Sequence, residues 1–295
     1  MAAILKTPSH FNFDEILRFL NRSPKECLHQ VENDYIRKLI STKNQRLLVD
    51  IRQKKEGQLN LSFPDSKANA ATKKEVKNYI ADWLDLNTDL AAFYKNVQKD
   101  KILNPLIKQF SGLRIIGLPD LFEALSWAII GQQINLNFAY SLKQRLVEKY
   151  GDKMSFENQI YYLFPDPSTI AKIKTSDLRP LQFSERKAEY LIGLAKIMAA
   201  DEISKEQLSS LSFEDAHKKL VAIRGIGNWT ANYVLMKCLR HQDAFPIEDA
   251  GLHNALKQQL GWDRKPTLAE IEKLAHPWIG WRAYAVFYLW QSLLK

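Results

Sequence analysis

The sequence predicts a mainly α-helical protein with a small α+β domain at its N-terminus. Three observations carry that expectation. Between Phe11 and Phe63 a single helical pattern gives way to short runs in which apolar and polar residues alternate, the period of half-buried strands. From Thr72 onward that period is gone, and apolar residues recur at helical spacing in one segment after another. At 295 residues, 46% of them hydrophobic, the chain is long enough for about two or three packed units. The boundary is expected at 87/88, with an N-terminal domain over 1–87 and an all-helical region over 88–295.

The elements follow in order. FNFDEILRFLNR, from Phe11 to Arg22, places Phe13, Ile16, Leu17 and Leu20 on one helical face, and Ser23-Pro24 ends it. Strands are expected at Glu26–Glu32, Tyr35–Thr42, Gln45–Gln53 and Gln58–Phe63, separated by turns at Asn33-Asp34, Thr42-Lys43-Asn44 and Lys55-Glu56-Gly57. This is an antiparallel meander with one packed face. Pro64 to Ala71 is polar and reads as a loop. Thr72 followed by Glu75 has capping-box spacing and is expected to open a helix running to Leu86. Helical patterns then recur at about 88–98, 103–110, 119–131, 135–150, 184–200, 212–222, 228–240, 249–259, 267–275 and 280–293. Gly151 stands where a helix C-cap belongs, and Asp166-Pro167-Ser168 reads as a loop and helix start.

Composition narrows the function classes. Lys and Arg outnumber Asp and Glu by 42 to 33, for a net charge of +9, which favours a polyanionic partner. The two cysteines, Cys27 and Cys238, supply neither a disulfide framework nor a four-thiolate metal site. No apolar run reaches membrane-spanning length, and MAAILKTPSHFNF lacks a secretory core, so a cytoplasmic protein is expected.

The chemistry concentrates between Ala222 and Ala255. Gly225 and Gly227 bracket a turn between two helices, and the start of the second helix carries unpaired N–H groups suited to a phosphate. A plain packing turn would look similar; the fuller pattern, apolar-x-Gly-apolar-Gly-x-x-Thr-Ala, favours contact with a nucleic-acid backbone. Further on, Asp249 follows Phe245-Pro246 and opens a helix. It is an N-cap, or a carboxylate that stabilises positive charge on a sugar anomeric carbon or activates water. Glu248 and Asp243 are weaker alternatives, and His253 reads as a satisfied histidine. Gln132 and Gln133, at an interhelical turn, are solvated or enter a nucleic-acid groove. The C-terminal aromatics Trp278, Trp281, Tyr284, Phe287, Tyr288 and Trp290 are mostly core, with one or two free to stack on a nucleobase.

Taken together, IRGIGNWTANY, FPIEDAGL and WIGWRAYA, with FEALSWAIIGQQI and SERKAEYLIGLA before them, resemble the helix-hairpin-helix base-excision DNA glycosylases, nearest the 3-methyladenine glycosylase II branch. The likeness is strong over about 110–295 and weaker over the N-terminal domain. It implies two helical lobes with the active-site cleft between them and a helix-hairpin-helix at about 213–240. Asp249 matches the family's catalytic aspartate. Trp281 and Trp229, with Tyr233 and Phe19, match positions around the base pocket. Gly225, Gly227 and Thr230 match the hairpin that grips DNA, and Gln133 matches the wedge that fills the gap left by a flipped nucleotide. The resemblance also implies a monovalent cation on hairpin backbone carbonyls, no side-chain metal site and no cofactor.

Three departures qualify it. Arg224 replaces the usual hairpin proline and adds a phosphate contact. Gln133 stands where some relatives carry an apolar wedge. Trp229 occupies the position at which bifunctional members carry a lysine nucleophile, and covalent lyase chemistry needs that amine. Four cysteines for the iron–sulfur cluster of some cousins are also missing. The expected function is a monofunctional glycosylase, monomeric, that removes alkylated purines from double-stranded DNA. A non-catalytic DNA-binding protein and a bifunctional glycosylase/lyase for oxidised bases are the rival readings.

Overall fold

A computed structural model describes residues 2–294; Met1 and Lys295, the outer ends of the two expected domains, lie outside the described residues. Strand β1 (Ala3–Lys6) leads to helix α1 (Phe13–Leu20) and then to β2 (Gln30–Glu32), β3 (Tyr35–Ser41), β4 (Arg46–Lys55) and β5 (Gln58–Ser62). The five strands form one antiparallel sheet in the order β1-β5-β4-β3-β2. The meander is the expected one, with two corrections. β1 pairs Ala3 with Leu61 and Leu5 with Leu59 at the sheet edge, yet its four residues are too few to show a period in sequence. The strand expected from Glu26 begins only at Gln30, because the Glu26 carboxylate accepts the Cys27 and Leu28 amides and turns the chain.

Helix α2 (Ala70–Trp83) starts earlier than expected. Its cap is Asn69, whose Oδ1 accepts the Thr72 amide at 2.8 Å, and Thr72 is buried. Glu75 does not close a capping box; it accepts the Lys43 amide at 2.9 Å and ties the helix to the sheet. Helices α3 (Leu90–Val97), α4 (Leu103–Gln109), α5 (Leu121–Gly131) and α6 (Leu136–Tyr150) then follow the expected spacing. The hairpin of β6 (Lys153–Phe156) and β7 (Gln159–Tyr162) was not expected, because its turn is Glu157-Asn158, both at positive φ (50° and 61°), without the glycine that marks such turns. Tyr161 of this hairpin packs on Leu39 and Leu48 of the main sheet.

The short helices α7 (Pro167–Ile170) and α8 (Thr175–Leu178) lead into α9 (Glu185–Ala199), α10 (Lys205–Ser209), α11 (Phe213–Val221), α12 (Asn228–Lys237), α13 (Ala250–Leu260), α14 (Leu268–Ala275) and α15 (Arg282–Gln291). α7 opens at Pro167 after Asp166, as the sequence suggested, while α8 and α10 fall between the expected segments because each is only about one turn long. The apolar core runs without a break across 87/88: Phe19 of α1 meets Phe287 of α15 with ring centroids 5.3 Å apart, and Arg240 reaches back to Asp82 of α2 at 3.0 Å. That shared core brings the N-terminal domain to the wall of the functional cavity. Among the described residues no helix is long and apolar enough to cross a membrane.

Candidate active site and nucleic-acid interface

The hairpin lies between α11 and α12. Ile223 and Ile226 are buried beneath the turn, as their spacing required. Gly225 has φ +92°, and a Cβ there would press into the Tyr190 ring, so both conformation and space demand glycine. Gly227 is different: it caps α12 in an extended conformation, and a Cβ would meet nothing within 4 Å. Having no side chain, it leaves the first amides of α12 without the cap that Ser212 provides to α11. These N–H groups open toward solvent at the positive end of the helix. Arg224, 79% exposed, pairs with Glu189 at 2.7 Å and is free to reach an anion. Thr230 corrects the expectation: its side chain is buried, and its hydroxyl accepts Gln132 Nε2 at 3.2 Å, so only its backbone belongs to the open face.

The two glutamines divide their work. Gln132 turns inward and also donates Nε2 to the Gly225 carbonyl at 2.9 Å, bracing the hairpin from the α5–α6 turn. Gln133 is exposed at φ +57°, displayed at the tip of that turn. Beneath it, Lys187 Nζ donates to the carbonyls of Ile129 and Gln132, at 3.2 and 2.7 Å, and satisfies the C-terminal end of α5. The resemblance implies a monovalent cation on the hairpin carbonyls; of these, the Ile223 carbonyl accepts the Ile226 amide at 3.0 Å and the Gly225 carbonyl accepts Gln132 Nε2 at 2.9 Å. Among the described residues no group of three or more His, Cys, Asp and Glu side chains could hold a metal ion.

Asp249 is the N-cap of α13, and more than a cap. Its Oδ2 accepts the Leu252 amide at 2.7 Å and the Trp290 indole N–H at 2.7 Å; its Oδ1 accepts the Trp229 indole N–H at 2.8 Å. Two tryptophans from different helices therefore aim one carboxylate. Gly251 makes this possible, because a Cβ there would stand 2.8 Å from Asp249 Oδ2 and 3.1 Å from the Trp290 ring. Asn232 holds the approach: its Oδ1 accepts the Phe245 amide at 3.0 Å and ties α12 to the Phe-Pro segment before Asp249. Glu248 is exposed and engaged by Asn228, Asp243 pairs with Arg282, and His253 Nε2 meets the Ile247 carbonyl at 2.8 Å. None of these three shares the cavity on which Asp249 opens.

That cavity has aromatic walls: Phe19, Trp127, Trp229, Tyr233, Phe287 and Trp290. Trp229 and Tyr233 stack with centroids 5.5 Å apart at 26°. Burial holds the Tyr233 hydroxyl far above the usual phenol range, so it stays protonated. Trp229, Tyr233 and Phe19, which the resemblance assigns to a base pocket, line this cavity. Trp281 does not. It precedes α15 and packs on Phe93 and Tyr284, at 5.7 and 6.2 Å, away from the cavity. The residue that meets Asp249 from this end of the chain is Trp290. Helical spacing separates the two: Phe287, Trp290, Gln291 and Leu294 line the cavity, whereas Trp281, Tyr284 and Tyr288 face the core. Trp127, Arg22 and Lys237 also line it and were not anticipated.

Comparison with known proteins agrees with this geometry. A family described as HhH-GPD superfamily base excision DNA repair protein matches residues 126–280, and the N-terminal domain of 8-oxoguanine DNA glycosylase matches residues 4–125. A DNA-3-methyladenine glycosylase of Bacillus subtilis (strain 168) is 43% identical over 98% of this chain and 96% of its own length. DNA-3-methyladenine glycosylase 2 of Escherichia coli (strain K12) is 33% identical over 61% of each chain. The solved 3-methyladenine DNA-glycosylase from Archaeoglobus fulgidus superposes with a TM-score of 0.84 at 25% identity, covering 99% of this chain and 97% of that one. With the open hairpin, the aimed Asp249 and these matches together, the chain belongs to the HhH-GPD superfamily of base excision DNA repair proteins.

Proposed function

We propose that the protein is a monofunctional DNA glycosylase. It hydrolyses the N-glycosidic bond of alkylated purines, 3-methyladenine and 7-methylguanine among them, in duplex DNA and leaves an abasic site. The observation that carries this reading is the Asp249 carboxylate, held by two indole N–H groups and a helix amide at the wall of an aromatic cavity. The names of its relatives support the substrate class.

The hairpin amides and Arg224 take DNA phosphates, contacts that set position without reading sequence. Gln133 fills the space of the nucleotide flipped into the cavity, since the bond to be broken is out of reach inside the stack. Alkylation leaves the purine cationic, so the faces of Trp229, Tyr233, Phe287 and Trp290 attract it. The cation is a good leaving group, and the bond breaks through an oxocarbenium-like state. The Asp249 side chain stabilises that charge, and Oδ1, which accepts one hydrogen bond, keeps a lone pair to orient the attacking water. Trp229 stands at the lysine position of bifunctional relatives and supplies no amine for strand cleavage. On this reading the enzyme acts as a cytoplasmic monomer.

The test is Asp249→Asn on alkylated duplex DNA. Release of 3-methyladenine is expected to fall by about a hundredfold to a thousandfold, the range for loss of one preorganised electrostatic contact, with duplex binding retained. Undiminished turnover by the variant would remove Asp249 from the mechanism. Binding without release by the wild-type protein would favour a purely DNA-binding role.

A further inference from the structure

We propose that Lys237 determines base specificity, its Nζ meeting the edge of the flipped purine at the end of the cavity opposite Asp249. The proposal rests on the glycosylase reading above. Trp229, Tyr233 and Lys237 stand at i, i+4 and i+8 on α12, so they share one face and all line the cavity. Trp229 holds Asp249, where the anomeric carbon must lie. Lys237 begins about 12 Å further along the helix, and its side chain leans back toward the helix N-terminus. The proposal places the flipped purine between the two in this cavity.

The amine is unusual in having no partner. Lys237 is 5% exposed, and Nζ lies 4.9 Å from the Phe287 ring centroid and 5.5 Å from that of Phe19. It has no hydrogen bond or ion pair among the described residues. The charged groups facing it are committed elsewhere. Asp85 accepts the Tyr284 and Thr88 hydroxyls, Arg240 bonds Asp82 and the Ile115 carbonyl, and Arg22 donates to the Phe19 carbonyl. On the far wall, Asp249 is occupied by its two indoles and the Leu252 amide. A buried polar group left unpaired is costly, and such groups mark sites that a ligand completes.

Burial, with Arg22 and Arg240 nearby, holds Lys237 well below the usual lysine range. A neutral amine has N–H donors and a lone pair. It can therefore accept from the exocyclic amino group of an alkylated adenine or donate to the O6 of a guanine, and it adds no repulsion to a cationic base. The sign with pH follows. Above its lowered pKa the amine is neutral. As pH falls through that value the ammonium forms, loses its acceptor and repels a cationic base, while a neutral purine with a C6 carbonyl still finds a donor. Excision of 3-methyladenine relative to hypoxanthine should therefore decline on acidification.

The experiment compares wild type, Lys237→Met and Lys237→Gln on duplexes carrying 3-methyladenine, 7-methylguanine or hypoxanthine. The Met variant is expected to fold with an unchanged or raised Tm, because an unpaired amine is replaced by a thioether. It should change the ratios of kcat/KM among the three lesions by about tenfold, the worth of one hydrogen bond in a dry site, and lose their pH dependence. The Gln variant, which keeps a donor and an acceptor, should stay nearer the wild-type ratios. Unchanged ratios in both folded variants would overturn the proposal. So would a borohydride-trapped DNA adduct present in wild type and lost in Lys237→Met, since the amine would then be a nucleophile. Failure of the wild-type enzyme to release any of the three bases would instead defeat the glycosylase reading, and this proposal with it.

Discussion

The hairpin turn and the start of α13 both carry a helix N-terminus, and they are built in opposite ways. At α12 the cap is Gly227, which has no side chain, and the first amides stay open. At α13 the cap is Asp249, and both carboxylate oxygens are engaged by three protein N–H groups. The contrast separates binding from chemistry. On the glycosylase reading, a phosphate arrives with its own charge and completes the hairpin, so protein partners there would only compete with it. A group that must stabilise charge in a transition state has to be in place beforehand, because reorienting it during the reaction adds to the barrier.

Five variants test that contrast, from the largest expected effect to the smallest. Replacing both Trp229 and Trp290 by Phe removes the two indole donors and should lower the rate of base release at saturating DNA by about a hundredfold; Trp290→Phe alone should lower it by about tenfold. Single-turnover rates measure both, and a rate close to wild type in the double variant would mean that Asp249 needs no side-chain support. Gly225→Ala should act on binding. Its φ of +92° and the Tyr190 ring oppose a methyl group, and about 1–3 kcal/mol of strain should weaken duplex affinity while sparing the single-turnover rate at saturation. Gln132→Ala removes the brace on the Gly225 carbonyl and the Thr230 hydroxyl and should cost about 1 kcal/mol in Tm-derived stability, with a few-fold loss of affinity. Gly227→Ala should leave thermal stability within about 0.5 kcal/mol of wild type, because space and conformation both admit a methyl group. Any loss of affinity in that variant then comes from steric conflict with the DNA itself.

The same contrast explains what could be read from the sequence. The hairpin is a local object: glycine spacing, flanking apolar residues and the start of α12 lie within a few positions, so the turn between α11 and α12 was legible in the sequence. Asp249 was legible as the acid opening α13, but not as the acceptor of two indoles. Trp281 shows where the resemblance misled and local spacing did not. Its spacing to Tyr284 and Tyr288 already marked the core face of α15, yet the match to a family motif placed it in the pocket. Trp290 and Phe287, one helical turn apart on the other face, line the cavity. Thr230 misled similarly: its position in the motif was right, and its hydroxyl faces inward. The β6–β7 hairpin was invisible because its turn lacks glycine, and β1 because four edge residues make no pattern.

The sequence by itself determined the change of periodicity near Thr72, the glycine turn at Gly225–Gly227 and the carboxylate at the head of α13. Each follows from side chains close together along the chain, whereas Trp229 as the replacement of a lysine came from the resemblance. Only the tertiary structure decided which aromatic faces form the cavity, that Trp290 reaches Asp249, that α1 contributes Phe19 with Arg22 just after it, and that Lys237 is buried among phenyl rings without a hydrogen-bond partner among the described residues. Those features depend on how α1, α12, α13 and α15 pack together across the whole length of the chain. Local propensity and spacing orient a side chain relative to its own helix but leave open what the neighbouring helix brings to meet it.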